Sequence, residues 1–383
     1  MGSGKSKIAG FYIHIPFCRQ ACRYCDFHFS VSVKYIPEMI DAMIREIQVK
    51  KELFGDFEFG SLYFGGGTPS LLKIEELKKL LESIFKYYHF NSGFEFTMEA
   101  NPEDVTREYV YGLRESGVNR LSIGIQSFID RDLVLMRRSH TSDQAINAIR
   151  IAKEKGFDNI NADLIYGLPG LTNGEWEENL NRFFSLDIPH LSAYHLTYEP
   201  GTVFDHWRKK ARIMPVTDDD SLMQFKILKS KIMDKGFMHY EISNFGREKF
   251  LSKHNLVYWN LQPYVGIGPS AHSYDGERRY WNRSNNKKYI ELLAEKDGKL
   301  FEYEQLSLTD KFNEYILTSL RTIWGADLEE IRQRFGEYYV KYAEKILNSQ
   351  IKFGLCEKKG TVFCLTEEGV FLSDAVMRDF FLV

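Results

Sequence analysis

Between residues 11 and about 245, short apolar runs alternate with amphipathic helical stretches, and this alternation restricts the possible folds more than any other feature. The runs at residues 11–15, 61–64, 94–99, 120–125, 159–165 and 191–196 are rich in β-branched or aromatic residues and bounded by Gly, Pro or Asn, as strands are. Residues 36–53 set Ile36, Met39, Ile40, Met43, Ile44 and Ile47 at helical spacing, and 74–87, 107–116, 142–155 and 174–184 read similarly. Repeated strand–helix units predict a parallel sheet, because parallel neighbours need a crossover, usually a helix. Six units fall short of the eight of a closed barrel. The expected fold is therefore α/β, a partial (β/α)6 TIM-like barrel, with an open doubly wound sheet as the alternative. In either case ligands belong at the C-terminal ends of the strands.

The residues with chemistry gather at those ends. Cys18 follows the first strand, residues 65–69 the second, Glu99 ends the third, Gln126 the fourth, and Asp163 lies late in the fifth. Unrelated residues would be scattered over both ends. Cys18, Cys22 and Cys25 form a CxxxCxxC pattern. Thiolates ligate iron in 4Fe–4S clusters. Three of them leave one iron open, and the amino and carboxylate groups of S-adenosylmethionine (SAM) suit that position. A structural zinc site needs a fourth ligand, for which His14 or His28 would serve. Cys356 and Cys364 have no such neighbours and read as structural thiols. Gly65–Gly67 lets backbone approach a ligand closely or makes a simple tight turn. Glu99 and Asp163 can accept hydrogen bonds from ribose hydroxyls or an ammonium. Arg138 can pair with a carboxylate of a ligand or of the protein itself. Tyr12 and Tyr24 are site residues or ordinary half-buried aromatics.

The 383 residues suggest two or three domains. A hydrophobic fraction of 44% and a charged fraction of 27% are those of a globular chain, and a net charge of −3 gives no sign of a nucleic-acid partner. There is no apolar run of 18 residues to span a membrane and no apolar signal segment near Met1, so the cytoplasm is the expected compartment. Residues 2–6 resemble the end of a phosphate-binding loop but lack the preceding strand. Residues 1–10 read as a flexible N-terminus or an expression remnant, 11–245 as the partial barrel, 246–300 as a connecting segment, and 301–383 as a small α+β domain. In that C-terminal domain, two or three helices precede a strand pair around residues 355–365.

The motifs together resemble the radical SAM signature of the oxygen-independent coproporphyrinogen III oxidase family. Tyr12-Ile-His-Ile-Pro-Phe-Cys18 with Cys22, Tyr24 and Cys25 carries the resemblance, with Gly65-Gly-Gly-Thr-Pro69, Glu99-Ala-Asn-Pro102, Gly124-Ile-Gln-Ser-Phe128 and Asp163-Leu-Ile-Tyr-Gly-Leu-Pro169. It covers most of the chain, including the C-terminal domain, which resembles a winged helix. It implies a 4Fe–4S cluster on Cys18, Cys22 and Cys25. It also implies SAM held by Tyr12, Tyr24, Gly66, Gly67, Thr68, Glu99, Gln126, Arg138 and Asp163. Two departures separate this chain from the oxidases. Phe27 stands where they carry a further cysteine, and the segment before Cys18 is short. Coproporphyrinogen III conversion is therefore not expected.

His254-Asn-Leu-Val-Tyr258-Trp259 resembles the HNxxYW motif of the haem-chaperone branch of that family. The resemblance implies haem beside His254, Tyr258 and Trp259, since imidazole ligates haem iron and flat aromatic rings can cover the macrocycle. A packed aromatic turn with a hydrogen-bonded His is the alternative. The segment is expected to fold back over the open strand-end face. Residues 265–272 match the family too and read as a supporting turn, and His14, His195 and His272 are competing ligands. The leading expectation is a haem chaperone that hands haem to acceptor haemoproteins. The rivals are a porphyrin-modifying radical SAM enzyme, fed by an electron donor that permits SAM cleavage, and a scaffold that keeps its cluster for structure.

Overall fold

The computed structural model describes residues 8–294 and 301–382. The phosphate-loop-like residues 2–6 and residues 295–300 of the connecting segment lie outside them. The barrel units run β1 (Ile8–Ile15), α1 (Ile36–Phe54), β2 (Glu58–Gly66), α2 (Ile74–Tyr87), β3 (His89–Ala100), α3 (Arg107–Glu115), β4 (Arg120–Gln126), α4 (Asp130–Met136), α5 (Ser142–Glu154), β5 (Asn159–Tyr166), α6 (Asn173–Ser185) and β6 (His190–His195). Helix starts follow from local chemistry. Thr141 and Thr172 each cap a helix reciprocally with the residue three positions on, Gln144 and Glu175.

β1 to β6 pair in sequence order, all parallel. The six expected strands are present, and α2 occupies the residues its periodicity predicts. The sheet extends further at both edges. After α7 (Val203–Lys209) and α8 (Asp218–Asp234), a short hairpin of β7 (Met238–Glu241) and β8 (Asn244–Gly246) adds to the edge, with β8 antiparallel to β6 and β7 antiparallel to β8. The segment 246–300 carries more than a connection. It forms α9 (Lys253–Trp259), β9 (Tyr264–Ile267), β10 (His272–Tyr274), β11 (Arg278–Asn282) and α10 (Asn286–Ala294). β9 joins β1 in parallel, and β10, β11 and β12 (Phe301–Gln305) continue antiparallel to give a twelve-stranded sheet. The buried pair Glu46–Lys50 on α1 anchors this extension, with Lys50 Nζ donating to the Gly266 carbonyl at 2.7 Å.

Strand alternation gives the sheet two unlike faces. Leu62, Phe64, Phe96, Met98, Leu121, Ile123, Ile160 and Leu164 are buried in the large core. The alternate positions are polar and register with one another: Ser61 with Glu95, Thr97 with Arg120, Glu99 with Ser122, Asp163 with Ser192. That polar face lines the site described below.

The chain ends in α11 (Leu308–Leu320), β13 (Ala326–Asp327), α12 (Leu328–Phe335), α13 (Glu337–Lys352), β14 (Cys356–Lys359), β15 (Val362–Leu365), α14 (Glu367–Phe371) and α15 (Ser373–Asp379). These form a three-stranded sheet with helices around a second core of Phe312, Ile316, Leu328, Ile331, Val340, Leu347, Phe363 and Phe380. No helix among the described residues is long and apolar enough to cross a membrane.

Candidate functional site

A cavity of about 630 Å³ opens at the C-terminal ends of β1–β6. The loop after β1 forms one wall. Its base is pinned by the Cys18 N–H donating to the Ser30 carbonyl at 3.0 Å, and its middle by the Arg23 N–H donating to Met136 at 3.1 Å. Cys18, Cys22 and Cys25 are partly exposed free thiols, and all three line the cavity. Thr68 Oγ1 donates to Cys18 Sγ at 3.4 Å, and Arg138 Nη1 to Cys22 Sγ at 3.6 Å. Burial pushes the Cys25 thiol up to about 12. Among the described residues no three His, Cys, Asp or Glu side chains converge on a single metal ion. The two histidines considered as zinc ligands are engaged elsewhere. His14 bonds the His28 carbonyl and the Tyr12 hydroxyl, and His28 bonds Asn286. A donor set of three thiols, two of them facing hydrogen-bond donors, fits an iron–sulfur cluster.

The opposite wall is built by strand ends. Gly66 has φ +108°, a conformation that favours glycine. A Cβ on Gly67 would lie 2.6 Å from the Phe17 carbonyl oxygen and 2.9 Å from that of Ile15, so the second loop touches the cysteine loop backbone to backbone. Glu99 accepts from the Tyr63 hydroxyl at 2.7 Å and from the Gly66 N–H at 3.2 Å, and burial raises its carboxyl to about 7. Gln126 ends β4 at φ +69°, where the pairing with β5 slips. A non-glycine residue held there costs about 1–3 kcal/mol, the kind of strain that gathers at functional sites. Asp163 accepts from Asn161 at 2.7 Å, and burial raises its carboxyl as well. Arg138 is held by two neutral oxygens, Asn101 Oδ1 at 2.6 Å and the Gly124 carbonyl at 2.8 Å, rather than by a carboxylate. Its Nε is buried without a partner among the described residues.

The structure thus brings Tyr24, Gly66, Gly67, Thr68, Glu99, Gln126, Arg138 and Asp163 to the cavity with the cysteines. Tyr12 lies behind this lining, next to Gly65. It is absent from the lining, because its hydroxyl is turned to His14 and its ring lies against Tyr63 and His254.

The HNxxYW segment packs elsewhere than the expected fold-back would put it. It forms α9, which contacts β1 and β2 and does not fold over the strand-end face. Glu95 on β3 captures its first turn, accepting from the N–H groups of Lys253 and His254, both at 3.2 Å. A carboxylate at a helix N-terminus is favourable. His254 is 2% exposed, and both its ring nitrogens are engaged, with Ser61 Oγ at 2.8 Å and the Tyr258 hydroxyl at 2.9 Å. Burial and then the Arg120 charge lower its imidazole to about 3. His254, Tyr258 and Trp259 do not line the cavity, although Asn255 between them does. Of the competing histidines, His195 lines the cavity and bonds Ser221, and His272 is exposed on β10.

Sequence reasoning missed several lining residues: Asn101, Arg120, Tyr194, Asn255 and Arg321. Asn101 lies within a quoted motif and was readable. Arg120 opens a strand and Arg321 follows α11, positions that carry no signal on their own.

The Radical SAM superfamily matches residues 12–183, and the HemN C-terminal domain matches residues 306–372. A protein of Bacillus subtilis named heme chaperone HemW is 34% identical over 96% of this chain and 98% of its own length. Its namesake in Lactococcus lactis is 33% identical over 97% of both chains. Among solved structures, coproporphyrinogen III oxidase (HemN) from Escherichia coli, a radical SAM enzyme, superposes with a TM-score of 0.85 at 24% identity. The match covers 98% of this chain and 90% of the oxidase, and it shows the shared fold.

Proposed function

Because the chain belongs to the HemW family of radical SAM proteins, we propose that it is a haem chaperone that carries a 4Fe–4S cluster and SAM and delivers haem to acceptor haemoproteins. The observation that carries the cofactor assignment is the single cavity shared by Cys18, Cys22 and Cys25 with the strand-end residues. In this reading the three thiolates hold the cluster, with Thr68 and Arg138 stabilising the charge on two of the sulfurs. The bound cluster supplies one-electron chemistry toward SAM. Arg138 takes the SAM carboxylate, for which its unpartnered Nε is ready. Gly66 and Gly67 leave room for the amino-acid end. Glu99 and Asp163 accept hydrogen bonds from the ribose or ammonium, and Tyr24, Thr68 and Gln126 complete the wall. Phe27, 68% exposed at the cavity rim, stands where the oxidases have a cysteine, which favours chaperone over oxidase.

We place haem at His254, Tyr258 and Trp259. In the conformation described, His254 is latched to Ser61 and Tyr258, so ligation requires α9 to release it. The test is a haem titration of anaerobically reconstituted protein. Tyr258→Phe breaks one latch and should tighten binding or speed it, while His254→Ala should weaken it or shift the Soret band with cluster content unchanged. A haem spectrum and affinity identical in parent, His254→Ala and Tyr258→Phe would remove α9 from the haem site.

A further inference from the structure

Four arginines line the cavity: Arg19, which is paired with Asp104, Arg138 beside the cysteines, Arg120 at the start of β4, and Arg321 just after α11. Neither Arg120 nor Arg321 is among the residues assigned above to the cluster or SAM. Arg120 is only 2% exposed, yet its guanidinium lacks a close partner. Its Nε bonds nothing among the described residues, and the nearest carboxylate, Glu95, is 3.9 Å away. Arg321 repeats the pattern, with an unpartnered buried Nε and Glu241 at 3.9 Å. Both separations exceed hydrogen-bonding distance. Burying a guanidinium without hydrogen bonds is costly, and such groups are ordinarily paired. The Arg120 charge is felt around it. After burial itself, it is the cause that holds His190 and His254 below the ordinary imidazole range.

The surroundings also link the pair to α9. The Arg321 guanidinium lies 4.9 Å over the Trp259 ring, and its neighbour Thr322 bridges to Glu241. The Arg120 charge reaches His254 across the polar face that holds Ser61 and Glu95. Both arginines therefore act on the HNxxYW helix and line the same cavity.

We propose that Arg120 and Arg321 form a carboxylate site distinct from the Arg138 end of the cavity, and that it receives the propionates of the tetrapyrrole. Arg suits this role because its planar fork binds a carboxylate through two parallel hydrogen bonds. The proposal rests on the haem reading above and adds the residues that recognise haem by its charged edge. It also gives the C-terminal domain a role in binding, since Arg321 belongs to that half of the chain.

The test uses full-length, cluster-reconstituted protein and two probes, haem and its dimethyl ester, which differ only at the carboxylates. Arg321 is the first target because its side chain is 25% exposed and its loss should not unfold the protein. Arg321→Gln should weaken haem by about ten- to a hundredfold and leave the ester unaffected. Arg321→Lys should recover some of the loss, and Arg120→Gln should act in the same direction if its cluster absorbance shows it folded. In the parent, haem should bind more tightly than the ester. Equal affinity for acid and ester, or haem affinity unchanged in Arg321→Gln, would overturn the carboxylate site and leave the haem reading standing. Failure of the parent to bind either probe would overturn both.

Discussion

Gly67→Ala is the most direct probe of how the two walls of the site are joined. The added Cβ would meet three backbone atoms, the Phe17 oxygen at 2.6 Å, the Ile15 oxygen at 2.9 Å and the Phe17 nitrogen at 2.9 Å. Ordinary contact begins near about 3.5 Å, so the loops must part by roughly 0.6–0.9 Å. No side-chain rotamer can absorb this, because every clashing atom is main chain. The Gly67 N–H also donates to the Ile15 carbonyl at 2.8 Å, and separation stretches that bond. Overpacking costs about 1–3 kcal/mol and the weakened hydrogen bond about 1 kcal/mol, giving a destabilisation of roughly 2–4 kcal/mol. Phe17 immediately precedes Cys18, so the displaced loop should also reconstitute less iron and sulfide. Gly174→Ala is the control, since its Cβ meets nothing within 4 Å. Urea unfolding of cluster-free protein and iron content after anaerobic reconstitution measure the two effects. A Gly67→Ala protein equal to the parent in both would refute the backbone-contact reasoning.

Replacing Cys18, Cys22 or Cys25 singly by Ala should abolish the cluster's visible absorbance and Mössbauer signature, whereas Cys356→Ala, in the second core, should retain both; the reverse pattern would reassign the ligands. Glu99 titrates near 7 in the folded protein against an ordinary 4.5, so the folded state binds the extra proton and the residue's contribution is lost as pH rises from about 4.5 through 7. Glu99→Gln should therefore be progressively more stable than the parent over that window, by up to ~3 kcal/mol above it, in urea unfolding at stepped pH; a pH-independent difference would show that Glu99 is not strained by burial. In calorimetry the same substitution, and Asp163→Asn, should weaken SAM by roughly ten- to a hundredfold without loss of cluster, and unchanged affinity in both would remove them from the site.

The barrel was legible because short strand-like runs, such as residues 120–125 and 159–165, recur between stretches of helical periodicity. β7–β11 were not, since three to five residues are too few to display a period. The cysteines, Gly66, Gly67, Thr68, Glu99, Gln126 and Asp163 were legible because they lie at or after strand ends. Tyr12 was expected at the site from the resemblance, and the structure turns its hydroxyl to His14 with its ring against Tyr63 and His254. The position of α9 depended on Glu95, which was read as an ordinary strand residue and proves to hold the helix by its first N–H groups. Arg120 and Arg321 lie about two hundred residues apart in sequence, and only the folded chain brings both to one cavity.

The central claim, haem carriage without porphyrin oxidation, can be tested in one anaerobic experiment. Reconstituted protein with SAM and a reductant is given haem in one vessel and coproporphyrinogen III in another. The account predicts saturable haem binding, transfer of that haem to an apo-haemoprotein acceptor, and no loss of carboxylates from coproporphyrinogen III by mass. Repeated turnover of coproporphyrinogen III to protoporphyrinogen IX, with no saturable haem binding, would contradict it.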